Sequence, residues 1–184
     1  MPNAAEHETV IEATRRWLEK SVIGLNLCPF AGTPWRQGRV RFRVSEATGL
    51  QQLAEDLADE LLALQATDPA ARETTLLIHP HVLDDFFDYN DFLDIADGVV
   101  EQLELDGTLQ VASFHPDYRF ADSPPDDPAN CTNRSPYPML HLLREASIEA
   151  ATASHPDPDA IYQRNIETMR GLGMEKWKAL VARD

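Results

Sequence analysis

Two segments with strand-like patterns end in a histidine followed by a proline. The first ends in His79-Pro80-His81 and the second in His115-Pro116. Because ligands of open parallel sheets bind beyond the carboxyl ends of the strands, we expect these histidines to lie at one edge of the fold. Since an imidazole can transfer protons near neutral pH, we predict His115 as a general acid or base that His79 assists or orients. The alternative is that proline ends each strand and the histidines are structural.

The same region offers an alternative site for a divalent metal. Carboxylates follow closely, at Asp117 and in the pair Asp126-Asp127. A histidine with nearby carboxylates forms either an acid–base pair or a metal site. Since no spacing here is specific to a metal, we predict no metal or other cofactor. The ligands of the alternative metal site are His79, His81 and His115.

The segment 133–137 is typical of a helix start that binds an anion. Ser135 is a good N-cap, and the proline after it suits the first helical position. Free amide groups, the helix dipole and the Arg134 guanidinium would together hold a carboxylate or phosphate. The alternatives are plain capping and a solvent-facing helix surface. The predicted substrate-binding residues are Asn133, Arg134, Ser135, Tyr137, His141 and Arg144.

Cys28 lies in the string GLNLCPF, a loop with glycine and proline. A thiol beside a histidine can act as a nucleophile, so Cys28 joins His115 and His79 as a candidate catalytic residue. The alternative is a buried cysteine that packs as a small hydrophobic residue. Cys28 and Cys131 share no zinc-type spacing, and we expect two free thiols in a reducing compartment.

Three segments predict strands that would position these residues. Residues 39–44 alternate strictly between arginine and apolar side chains, which predicts an edge strand with one buried face. Residues 74–78 are apolar on both faces, and residues 109–114 form a third strand pattern. An extra antiparallel edge strand from the region 24–36 remains an option.

Five helices are predicted around these strands from apolar spacing and start signals. Their starts are residue 6, a Thr48/Gln51 capping box, Asn90 or Asp91, Ser135, and Asp157. The order implies parallel strands with right-handed crossovers, so we predict an α/β fold: a small layered domain with about three mainly parallel strands and five helices. One domain spans 1–184, and the loop 116–133 is long enough to be a lid.

Composition excludes several classes of function. The chain has 184 residues, 43% of them hydrophobic, with 16 basic and 31 acidic side chains and a net charge of −15. An acidic chain of this kind repels phosphates, so we expect no nucleic-acid partner. No stretch has the roughly 18 apolar residues of a membrane span, and no basic start leads into an apolar run. We expect a cytoplasmic protein without a membrane partner; the oligomeric state is not predicted.

Several long strings resemble the bacterial family catalogued as domain of unknown function 1415. They are GLNLCPF, TTLLIHPHVLDDF, YNDFLD, LQVASFHPDY and NRSPYPMLHLLREASIE. The resemblance covers nearly the whole chain and implies a small, soluble, single-domain protein, but no reaction. The family pattern has an aromatic residue where this chain has Cys131, which argues against a role for that thiol.

These observations predict an enzyme that acts on a small anionic metabolite by hydrolysis or group transfer. His115 would transfer the proton, and Arg134 with the predicted helix start would hold the phosphate or carboxylate. The first alternative is a metabolite-binding module without turnover. The second is an interaction subunit with an exposed aromatic patch, formed by Trp35, Phe86, Phe87 and Tyr89.

Overall fold

A four-stranded mixed sheet forms the centre of the fold. The computed structural model describes residues 4–155 and 157–182. The strands are β1 Val40–Val44, β2 Thr74–Ile78, β3 Leu109–Phe114 and β4 Met139–Arg144, and their order across the sheet is β1-β2-β4-β3. β1 pairs with β2 in parallel, whereas β4 runs antiparallel to both β2 and β3. The α/β class is confirmed, but the prediction of three mainly parallel strands is wrong in detail.

Helices surround this sheet. The α-helices are α1 Ala4–Trp17, α2 Gly32–Arg36, α3 Leu50–Ala66, α4 Phe86–Gln102, α5 Glu145–Ala153, α6 Pro158–Leu172 and α7 Met174–Val181. A π-helical segment, Leu18–Ile23, continues α1, and a 3-10 helix spans Pro128–Asn133. The described residues thus contain more than the five predicted helices. None of these helices has the length and apolar character needed to cross a bilayer.

Helix starts match the predicted signals only in part. Asp157 caps α6, where its side chain accepts a hydrogen bond from the Ala160 amide, as predicted. In contrast, α4 begins after Asp85, which accepts hydrogen bonds from two amides of the first turn, and not at Asn90 or Asp91. α3 begins after Gly49 without a side-chain cap, so the predicted capping box is absent.

The segment predicted as the fourth helix is the strand β4. Its residues pair on both sides, with Leu140 opposite Leu77 of β2 and Ser113 of β3. Leucine and methionine favour helices in isolation, but the pairing with two neighbouring strands outweighs that propensity here. The helix begins only at Glu145, so no helix N-terminus lies at Ser135.

The edge position of β1 is confirmed. Arg41 and Arg43 extend to the same carboxylate, Glu60 of α3, at 2.9 and 3.4 Å. The region 24–36 contains α2 and no strand, so the optional extra edge strand is wrong. The additional antiparallel strand is β4, which lies inside the sheet.

The two faces of the sheet are covered unequally. Leu77 and Leu140 pack into a core with α3 and α4 on one face. On the other face, Ile78 and Met139 pack against Trp17 of α1 and against α7. This second cover lies over the end of the sheet where β2 and β3 terminate. The rest of that face borders an open cavity, which is described below.

Candidate functional site

His115 follows β3 as predicted, and it is fully buried. Its Nε2 lies 3.0 Å from the Leu83 carbonyl oxygen, and its Nδ1 accepts the Asp117 N–H at 3.0 Å. Burial lowers the pKa of this imidazole, so it is neutral at pH 7. Both nitrogens are thus engaged with backbone groups. This geometry fits a residue that joins two loops better than a residue that exchanges protons with a substrate.

His79 has a related role after β2. Its Nδ1 lies 2.9 Å from the Val82 carbonyl oxygen, and its ring stacks on Tyr89 with centroids 5.9 Å apart. Its Nε2 is buried without a hydrogen-bond partner among the described residues. Burial lowers the pKa of His79 to about 4. Like His115, it ties the loop after β2 to the core as a neutral ring.

Tyr89 is a structural residue that the sequence analysis assigned to an exposed patch. Its hydroxyl donates to the Met139 carbonyl at 2.7 Å and accepts the Phe114 N–H at 3.0 Å. It is completely buried, whereas Phe87 is 63% exposed and Trp35 packs on Phe42. The four aromatic residues therefore do not form one exposed patch.

The alternative metal site has no support in the geometry. His81 is directed towards Glu6, 3.5 Å away, while His79 and His115 point at backbone carbonyls. Within the described ranges, no three His, Cys, Asp or Glu side chains are grouped as a metal would need. The three histidines therefore do not share a ligand position.

The predicted anion-binding segment is occupied by its own backbone contacts. Arg134 donates to the carbonyls of Tyr118 and Pro125, at 3.0 and 2.8 Å. Asn133 donates to the Ser113 carbonyl, and the Ser135 hydroxyl donates to the Tyr137 carbonyl. These bonds hold the loop 116–133 against the ends of β3 and β4.

Arg134 nevertheless borders a surface cleft at the ends of β2 and β3. This strand-end cleft has a volume of about 540 Å³. Its principal lining residues are Asp84, Asp85, Phe87, Asp117, Arg119 and Arg134. Its position agrees with the edge at which the sequence predicts a site. Tyr137, His141 and Arg144 do not line it.

A second cavity lies on the incompletely covered face of the sheet. This sheet groove has a volume of about 580 Å³ and an almost entirely apolar lining. Its floor is the sheet, including Leu76, Ala112 and Leu143, and its walls come from α1, the π-helical segment, the loop 28–34 and α5. Trp17 and Phe114, in edge-to-face contact at 5.1 Å, border one part of it. Pockets of this size and character are typical of small-molecule sites.

His141 is the polar centre of the sheet groove. It stands on β4, and its Nε2 lies 2.6 Å from Thr74 Oγ1. Its Nδ1 has no hydrogen-bond partner among the described residues, yet it is not sealed from solvent. Burial lowers the pKa of His141 to about 4, so the ring is neutral. It therefore presents one free nitrogen to the cavity; the tautomer decides whether this nitrogen donates or accepts.

The two arginines at the groove are held by contacts within the chain. Arg39 contacts Glu73 at 3.0 Å, and both residues line the groove. Arg144 donates through Nη2 to three carbonyls at the end of α3 and in the following loop, those of Leu64, Thr67 and Arg72. A cation at this helix end is favourable because the helix dipole leaves negative charge there. Arg39 is thus neutralised by Glu73, whereas Arg144 makes no ion pair among the described residues and its Nε is buried without a hydrogen-bond partner.

Cys28 also lines the sheet groove, and both cysteines are free thiols. Burial raises the pKa of the Cys28 thiol, an effect that hydrogen bonds from Phe30 and Ala31 partly offset. The thiol is therefore protonated at pH 7, which suits a packing role better than nucleophilic attack. Cys131 is buried, with Sγ 3.3 Å from Met174 Sδ.

The two cavities take up only some of the predicted site residues, since Asn133, Ser135 and Tyr137 line neither. Arg134 lies at the strand-end cleft, with His115 buried beside it. Cys28, His141 and Arg144 line the sheet groove. Sequence reasoning missed Thr74, Gln110 and Ala112 of the groove, together with Arg119 of the cleft. The available signal was a polar residue, Gln110 or His141, inside an otherwise apolar strand.

The family model described as protein of unknown function (DUF1415) matches residues 9–179. The chain belongs to this family. No curated protein and no solved structure gives a significant match. Membership agrees with the resemblance found in the sequence, and because the description of the family assigns no reaction, function must be argued from the two cavities.

Proposed function

We propose that the protein binds a small, uncharged, mostly apolar molecule in the sheet groove, without turnover. The observation that carries the proposal is the free nitrogen of His141 inside an apolar cavity of about 580 Å³. An apolar wall with a few placed polar groups is the usual composition of a ligand site. The ligand would bury its apolar body on the sheet and offer one hydrogen-bonding group to His141.

The charge of the ligand is inferred from the contacts that the arginines at the groove already make. A charged ligand would lose its hydration in an apolar groove where Arg39 is already bound to Glu73 and the Nη2 of Arg144 to backbone carbonyls. Burying an unpaired charge is strongly unfavourable. This favours a neutral ligand over the anionic metabolite expected from the sequence.

Binding without turnover is favoured by the state of the side chains that face the groove. His141 is a neutral ring whose pKa is lowered to about 4, and the pKa of the Cys28 thiol is raised. A general base works best with a pKa near the working pH, and a nucleophilic cysteine needs a thiolate. Neither residue meets its requirement.

A matched pair of probes tests this proposal. Naphthalene and 2-naphthol have the same apolar body, and only 2-naphthol can hydrogen-bond with His141. We expect both to bind, and 2-naphthol to bind about tenfold more tightly, the value of one good hydrogen bond. The His141→Phe variant should remove that difference and leave naphthalene affinity unchanged.

A filling variant locates the site. Ala112 lies on the groove floor, so Ala112→Phe should weaken both probes by about tenfold or more. Ala66→Phe, the same change at an exposed position at the end of α3, is the control and should bind like the wild type. Equal affinities for Ala112→Phe and Ala66→Phe would exclude the groove as the binding site.

A further inference from the structure

The strand-end cleft is lined by charges of both signs. The wall that follows β2 contributes Asp84 and Asp85, and the wall that follows β3 contributes Arg119, Arg134 and Asp117. Asp84, Asp117 and Arg119 make no side-chain hydrogen bond or ion pair within residues 4–155 and 157–182. Arg119 thus binds no carboxylate among the described residues, although the chain has a net charge of −15. Its guanidinium is free to bind the anionic group of a ligand.

Hydrogen bonds beneath the cleft hold the backbone of both walls in position. Buried His115 bonds the Leu83 carbonyl, next to Asp84, and accepts the Asp117 amide. Asp85 is fixed as the cap of α4, and Arg134 is fixed by the carbonyls of Tyr118 and Pro125. The backbone that carries these charges is therefore held in place, which lowers the entropy cost of binding. His115 is a positioning residue here.

The cleft also has an apolar surface. Phe87, the second residue of α4, is 63% exposed and borders the cleft, and the half-buried Phe86 packs behind it on His115 at 5.5 Å. An exposed phenylalanine beside these charged side chains offers a surface for an apolar or aromatic side chain of a ligand.

We infer that the strand-end cleft is a second binding site, which takes an α-amino acid zwitterion with an apolar or aromatic side chain. The ligand's ammonium would lie at Asp84 and Asp117, its carboxylate at Arg119, and its side chain on Phe87. This site shares no lining residue with the sheet groove, so this inference does not depend on the proposed function.

Three probes separate the contributions of the two charges. L-phenylalanine carries both charges, 2-phenylethylamine lacks the carboxylate, and 3-phenylpropionate lacks the ammonium. We expect NMR titrations at pH 7 to show that L-phenylalanine binds most tightly. Each single-charge probe should bind about tenfold more weakly, because one charge-assisted contact is lost. The shifts should centre on the amides of Phe87 and Arg119.

Two variants that each remove one charge of the cleft test which residue binds which charge of the ligand. Two variants at other positions serve as controls. Arg119→Gln should weaken L-phenylalanine and 3-phenylpropionate by about tenfold and leave 2-phenylethylamine unchanged, and Asp84→Asn should do the reverse for the ammonium. Lys176→Gln and Asp59→Asn change the same charges at exposed positions on α7 and α3, and should bind like the wild type.

Several results would overturn this inference. One is that either single-charge probe binds as tightly as L-phenylalanine. Another is that the control variants weaken binding as much as Arg119→Gln, since the field of the whole protein would then explain the effect. A third is that no probe shifts the cleft amides at millimolar concentration. Added 2-naphthol should not displace L-phenylalanine, because the two sites are separate.

Discussion

His79, His115 and His141 are histidines that the fold keeps neutral. Burial lowers the pKa of each ring, to about 4 for His79 and His141. Above pH 6.5 the folded and unfolded chains are both neutral at these positions, so stability does not change with pH through them. As the pH falls from 6.5 towards 4, these histidines bind protons in the unfolded chain but not in the folded chain. The free energy of unfolding therefore decreases.

The His79→Asn variant tests this at one residue. Asparagine can keep the donor to the Val82 carbonyl but does not titrate. For a pKa of about 4 in place of 6.5, the loss between pH 7 and pH 5 is roughly 2 kcal/mol for one ring. Urea unfolding of His79→Asn should show a pH dependence flatter by about this amount. An unchanged pH dependence in His79→Asn would contradict this account.

Sequence reasoning at the residue scale selected His79 and His115 by type and position but could not predict their contacts. His79 and His115 lie at the strand ends as expected, and their type alone suggested catalysis. Their hydrogen bonds to Val82 and Leu83 depend on the path of a loop in which Leu83 adopts a positive φ of 64°. A leucine rarely adopts that conformation, so no local pattern predicts it.

At the scale of elements, β4 connects the two halves of the sheet. It pairs with β2 and β3, and without it these strands would have no common partner. The bounds of β2 and β3 agree with the predicted ranges because continuous apolar runs between turn signals are typical of buried strands. β4 was mispredicted because Met139, Leu140 and Leu143 fit a helical stripe equally well. Only pairing over long sequence separations decides between the two.

Leu140→Ala tests the central position of β4. Leu140 is fully buried against α3 and α4, and we expect a loss of about 2–5 kcal/mol in the free energy of unfolding, as for other buried leucines. The exposed Leu62→Ala on α3 is the control and should lose much less. A small loss in Leu140→Ala would place β4 at the periphery of the fold.

Arg144→Gln tests the capping of α3. The substitution removes the guanidinium from the carbonyls of Leu64, Thr67 and Arg72. Hydrogen bonds from charged groups contribute about 1.5–3 kcal/mol, so urea unfolding should show a loss of this order. Hydrogen exchange should also rise in the last turn of α3. Arg119→Gln, at an exposed arginine without an ion pair among the described residues, should leave stability unchanged; equal losses would show that the capping contacts are unimportant.

At the scale of the whole molecule, the net charge is −15, and five of the 31 acidic residues lie on α4. Exposed acids recur every three or four residues, and the helix has no basic residue. They are Asp88, Asp91, Asp94, Asp97 and Glu101. Like charges at this spacing destabilise a helix by about 0.2–0.5 kcal/mol per pair. This repulsion favours solubility over stability.

The Asp94→Asn variant tests that repulsion. It removes the like-charge pairs with Asp91 and Asp97, so stability at low salt should rise by about 0.5 kcal/mol. The gain should disappear near 1 M salt, where the screening length falls to about 3 Å. Thermal unfolding at both salt concentrations measures it. A gain that is unaffected by salt would show a cause other than charge.

Of the two cavities, only the strand-end cleft lies at the edge of the sheet where the sequence predicts a site. Strand ends predict the strand-end cleft because topology places ligands there. The sheet groove exists because α1, α5 and the segment 28–34 cover one face of the sheet incompletely. Packing decides how completely they cover it, and local sequence patterns do not show this. For the same reason, His141 could be selected by type, but its hydrogen bond with Thr74 could not be predicted.

Binding in the sheet groove is tested most directly by titrating isotope-labelled protein with 2-naphthol and following backbone amides by NMR. Saturable shifts at Ala112, Leu143 and Ala151, together with a shift of the His141 ring, are the predicted result, because these residues line the cavity. The amides of α3 and α4, on the other face of the sheet, should remain unchanged. Shifts confined to those helices, or no saturable shift at all, would contradict the proposal.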